Sequence, residues 1–86
     1  MPRLYVVDVP EFRSIVEVAA ARADYHVHPA RKGYWLIETS GALEFNRRDL
    51  KLKPALWYGM FTGGMDGEIA HWDRDDVRII GTNKPL

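Results

Sequence analysis

Between positions 52 and 80 the chain runs through an almost wholly apolar segment, a glycine break and two short alternating runs. No other feature constrains the fold as much. Leu56, Trp57, Tyr58, Met60 and Phe61 fall within six positions, and Gly63, Gly64 and Gly67 follow at once. A segment apolar on every side has to be buried, either by its own domain or by a partner. Pro54 suits the first turn of a helix and Gly63 its end, which predicts a helix over 54–63. Ala55, Gly59 and Gly63, four apart, would give that helix one smooth side for close backbone approach.

The first half of the chain is read in the same way. Leu4-Tyr5-Val6-Val7 is a run of strand formers. Asp8 is placed to cap a helix, Glu11 to complete a capping box, and Pro10 fits the first turn. Phe12, Ile15, Val16, Ala19 and Ala23 share one stripe, with Arg13 and Glu17 paired outside, so a helix is predicted over 9–23. Tyr25-His26-Val27-His28-Pro29 alternates as a strand that Pro29 stops, and 30–33 is a polar turn. Residues 34–39 read as a strand, Ser40-Gly41 as a turn, and 42–46 as the hairpin partner. Asn46 can cap a short helical turn with Asp49 at its third position. Residues 68–72 and 77–80 form a last hairpin about Asp73-Arg74-Asp75-Asp76. The order β-α-β-β-β-α-β-β implies one small α+β domain over 1–81, a largely antiparallel sheet with two helices packed on one face. Residues 82–86 read as a loose tail.

At 86 residues the chain buries only a little over half of its unfolded surface, so its stability is marginal. Such domains compensate with disulfides, a metal or oligomerisation. Cysteine is absent, which excludes disulfides and thiolate metal sites and leaves tight packing, a histidine or carboxylate site, or self-association. No run approaches the roughly 20 apolar residues that cross a bilayer. The opening Met1-Pro2-Arg3-Leu4 lacks a signal-peptide core, so a soluble, cytoplasmic protein without a membrane partner is expected. Net charge is zero, but residues 22–53 hold seven Lys or Arg against four Asp or Glu, while 54–80 hold two against five. Such a chain suits self-complementary docking better than nucleic-acid binding, which draws on a net basic surface.

Few constellations point to chemistry. His26 and His28, two apart on a strand, share a face and form a candidate metal pair, with His71, Glu38 or Asp66 as the further ligand. The plainer reading puts both imidazoles on the solvated face of an edge strand. The Gly63-Gly64-Met65-Asp66-Gly67 loop runs from helix into strand, opposite to phosphate-cradling loops, and fits a turn. Arg47, Arg48, Lys51 and Lys53 near Trp57 and Tyr58 faintly suggest a nucleic-acid surface, against which stand the neutral total and the acidic turn at 73–76. Trp35 and Trp72 are core candidates first and lining for a small apolar ligand second. Ser14 and Ser40 lack a nucleophile context. Glu38 and Glu44 flank the 40–41 turn and could face each other, but so thin a domain gives them no cleft.

These residues imply a self-associating binding or accessory module with no evident catalytic motif and no implied cofactor. Its partner is itself, as a dimer or larger, or another protein. The expected contact surface is Trp57, Tyr58, Met60 and Phe61, since Trp and Tyr supply large contact area and Met adapts to irregular surfaces. The alternative is a metal-dependent or small-molecule enzyme with its site at a subunit junction around His26 and His28. A weak nucleic-acid binder is the third reading.

Overall fold

The computed structural model describes residues 1–81; the expected tail at 82–86 lies outside them. Strand β1 (Arg3–Val7) lies inside a four-stranded sheet ordered β2-β3-β1-β5, with β2 at His26–Arg31, β3 at Tyr34–Glu38 and β5 at Met65–Asp66. All its pairings are antiparallel. Lys32 (φ 55°) and Gly33 (φ 86°) turn β2 into β3. Two consecutive left-handed residues match the twist of the flanking strands, so this turn makes the hairpin. Pro29 does not stop β2 as expected. It sits within the strand, where the register shifts between His28 and Arg31, and β2 is an edge that does not need the missing N–H.

The expected hairpin between 34–39 and 42–46 does not form. Both edges of β3 are already taken by β1 and β2, so β4 (Leu43–Asn46) has no free edge there to join. It pairs instead with β7 (Asp76–Ile80) in a second antiparallel sheet ordered β4-β7-β6, where β6 is Glu68–Trp72. The expected β6–β7 hairpin does form. Asp73 makes its turn by accepting at Oδ1 from the backbone N–H of Asp75 and Asp76, at 2.9 and 2.8 Å. The fold is thus α+β and antiparallel as read, with the strands divided between two sheets.

The helices are shorter than expected. Instead of one helix over 9–23, a 3-10 turn at Pro10–Phe12 leads into α1 (Arg13–Ala20). Asp8 does not cap it, because its carboxylate accepts the Trp35 indole N–H at 2.9 Å. Phe12, Ile15, Val16 and Ala19 are buried on the expected stripe, while Ala23 lies beyond the helix and is exposed. Asn46 caps α2 (Arg47–Leu50) as expected, accepting from the N–H of Arg48 and Asp49. The apolar segment is helical only over α3 (Pro54–Tyr58), and then turns at Gly59 and again through Thr62 and Gly64. Gly63 therefore belongs to no helical stripe. It lies against the Tyr5 carbonyl, where a Cβ would collide with the β1 backbone and crowd the Tyr34 ring.

One core joins the two sheets. Leu4, Val6 and Ile37 from the first meet Leu43, Phe45, Val77 and Ile79 from the second, with Ile15 and Ala19 of α1 and Trp57 and Met60 of the apolar segment. None of the helices among the described residues is long and apolar enough to cross a membrane.

Candidate functional site

Antiparallel pairing puts directly opposed residues on the same face of a sheet. In the four-stranded sheet, Leu4 pairs with Ile37 and Ile37 with Val27, and this face meets the core. The other face follows by alternation. One row across it reads His26, Glu38, Arg3, Asp66; the next reads His28, Leu36, Tyr5; the third reads Arg31, Tyr34, Val7. Tyr5, Tyr34 and Leu36 take no part in the core, and Tyr34 is 44% exposed. They line a shallow hollow of about 550 Å³ with Pro29, whose basic rim is His28, Arg31 and Lys32.

A chain of charge contacts joins Asp66, Arg3 and Glu38 of the first row to His28 of the second. Arg3 Nε lies 3.0 Å from Glu38 Oε2, and the Arg3 guanidinium reaches Asp66 at 3.9 Å. His28 Nε2 lies 2.8 Å from the other Glu38 oxygen. Hydrogen bonds from His28 first and Arg3 second hold the Glu38 carboxyl below its ordinary value. Of the expected metal set, His26 and His28 share a face of β2 and Glu38 stands opposite His26, its carboxylate bonded to His28 and Arg3, whereas His71 lies on the other sheet, bonded to Asp73 at 2.7 Å. Among the described residues no three His, Cys, Asp or Glu side chains are grouped to hold a metal ion. Nor do Glu38 and Glu44 face each other. Glu44 pairs with Arg78 at 3.2 Å on the three-stranded sheet, because β4 left β3.

The expected contact surface is taken apart by folding. Trp57 is 0% and Met60 1% exposed, so neither can anchor a partner. The Trp57 indole N–H donates to the Asp73 carbonyl at 2.9 Å, tying α3 to the acidic turn. Met60 follows Trp57 by three positions and shares its inward side, its N–H donating to the Trp57 carbonyl at 3.3 Å. Phe61 is half-buried, edge-on to Trp72 at 4.6 Å, and Tyr58, at 55% exposed, leans on the same ring.

The two tryptophans proposed as ligand lining serve packing. Trp35 packs against the core, bonds Asp8, and lies under the Arg13 guanidinium at 5.1 Å from the ring centre. Trp72 packs on Phe61 and Tyr58. Neither lines the hollow beside Tyr5. Of the four bases considered for nucleic acid, Arg47 is held by Asp75 at 2.9 Å and by the Leu52 carbonyl, leaving Arg48, Lys51 and Lys53 exposed. A second hollow, of about 500 Å³, lies on the outer face of the three-stranded sheet; within it Glu44 pairs with Arg78 and Asn46 with Asp76, while Arg22 and His71 pair with Asp24 and Asp73 beside it.

Reading the sequence for buried anchors passed over Tyr5, Leu36 and Tyr34. The signal was present in the alternation of 3–7 and 34–38, where each strand carries an apolar residue on both faces. No protein-family model matches the chain, and no curated protein matches it.

Proposed function

We propose that the chain is a self-associating binding module and that the outer face of its four-stranded sheet is the contact surface. One observation carries this reading: Tyr5, Leu36 and Tyr34 form an apolar hollow outside the core. A sheet face of that kind gains stability when a second layer covers it. In a domain this small, burial of further apolar area adds to a marginal total. Tyr side chains are favoured anchors, since they bury large area at low cost in side-chain freedom. Nitrogen–proton correlation spectra recorded over a dilution series test the reading. The amides of β1 and β3 should shift with concentration in the wild type and stop shifting in Leu36→Glu. Shifts confined to α3 and the 59–64 turns, or no shifts at all, would overturn it.

A second reading rests on the basic rim. His28, Arg31 and Lys32 beside an apolar hollow suit a small molecule with an apolar body and an anionic group. In that case the same amides move with an added aromatic carboxylate and not with protein concentration.

A further inference from the structure

The charged row on the outer sheet face has an order that suits it to pair with a second copy of itself. Across β2, β3, β1 and β5 it runs His26, Glu38, Arg3, Asp66, so groups that can carry positive and negative charge alternate. A two-fold axis in the plane of a face-to-face contact, parallel to the strands and midway between β3 and β1, reverses the row. His26 then meets the partner's Asp66, and Glu38 meets the partner's Arg3. The same operation sets Leu36 against the partner's Tyr5, and Tyr34 against the partner's Val7. An isologous contact requires this kind of self-complementarity, residue i meeting j while j meets i. The reversed alignment places opposite charges together in the two central pairs of the row, Glu38 with Arg3, and apolar groups together in the next, Leu36 with Tyr5. An axis along the row instead would set Glu38 on Glu38 and Arg3 on Arg3, and like charges so placed repel.

The geometry points to a symmetric dimer in which the four-stranded sheets pack face to face, the partner being a second copy of this chain. This rests on the self-association reading and adds its placement. The sheets' own twist is compatible with such a contact, since stacked sheets align within about 30° of each other. Arg3 and Asp66 are open enough to take a second partner, with side chains 43% and 62% exposed. Glu38, already bonded to Arg3 and His28, sits at the centre of the row.

A mixing experiment tests the placement. Arg3→Glu alone sets acid against acid across the two-fold axis, and Glu38→Arg alone sets base against base. Each variant by itself should therefore have the mass of one chain. Mixed in equal amounts they restore opposite charges in both central pairs, and the mass should return to that of two chains. The contact of Arg3 with Glu38 within one chain is lost in both variants and mixing cannot restore it, so recovery reports the contact between chains alone. Asp66→Arg and His26→Asp form a second set at exposed positions if either central variant fails to fold. Recovery of the dimer on mixing is the expected result. A dimeric wild type whose folded variants stay dimeric singly, or do not pair when mixed, overturns the placement and leaves the broader reading standing. A monomeric wild type overturns both.

Discussion

The Arg3 guanidinium lies 3.0 Å from a carboxylate oxygen of Glu38, 35 positions away in the chain, and the two sit directly opposite each other on β1 and β3. The pair fixes the register of the two inner strands at one end of the sheet. Glu38 also bonds His28 in the next row and Arg3 reaches Asp66, so a change at either member is felt by these neighbours.

Glu38→Gln tests that row through its pH dependence. The folded Glu38 carboxyl is held below its ordinary 4.5, by His28 first and Arg3 second. A carboxyl lowered on folding contributes stability that is present above its unfolded value and lost as pH falls through the folded one. The urea midpoint of the wild type should exceed that of Glu38→Gln at neutral pH, and the two should converge in acid well below 4.5. The gap should be small and sensitive to salt, because the row faces water. A gap that persists unchanged in acid would contradict the assignment.

Asp73 should titrate far from an ordinary carboxyl. Backbone N–H donors from Asp76 and Asp75, then His71, lower it from 3.8 to about 2. Carbon-detected titration of the side chain should place its midpoint near that value. Asp73→Ala should speed amide exchange at Trp72 and Val77, which pair next to the turn. A midpoint near 3.8 would show that the two backbone N–H groups do not hold the carboxylate.

Trp57 and Tyr58 are neighbours with opposite fates. Trp57→Ala removes a fully buried indole and its bond to the Asp73 carbonyl, and should cost about 3–5 kcal/mol of unfolding free energy. Tyr58→Ala, at an exposed position where only the contact with the Trp72 ring is lost, should cost no more than about 1.5 kcal/mol. Equal losses in urea denaturation would mean that α3 is not seated as described.

Gly63→Ala and Gly41→Ala make a matched pair. At Gly63 the new Cβ meets the Tyr5 carbonyl, so β1 or the 59–64 turns must move, at a cost of about 1–3 kcal/mol. At Gly41 nothing stands within 4 Å, and the change should be neutral or stabilise by up to about 1 kcal/mol. The reverse order of thermal midpoints would place the close approach elsewhere.

The sequence carried most of the local structure and less of the tertiary arrangement. The Asn46 cap, the Asp73 turn and the buried stripe of Phe12, Ile15, Val16 and Ala19 were legible because each depends on residues a few positions apart. The pairing of β4 with β7 was not, because nothing near 40–46 shows that β1 and β2 occupy both edges of β3. Asp8 illustrates the same limit: a good local cap was outcompeted by the Trp35 indole, 27 positions away. The apolar segment was correctly read as needing burial. Which side chains it buried depended on the side that α3 turns to the core: Trp57 and Met60, three apart, go inward, and Tyr58 is left outside. Apolar outer-face residues, unlike a cap or a turn, acquire meaning only once the register is known.

The most direct test of the outer face as a self-association surface is the absolute mass of the untagged wild type by light scattering, from high to low micromolar concentration. The account expects twice the 9.9 kDa of one chain at the upper end, falling toward one chain on dilution, and 9.9 kDa throughout for Leu36→Glu. A wild type that keeps the mass of one chain at every concentration would contradict it.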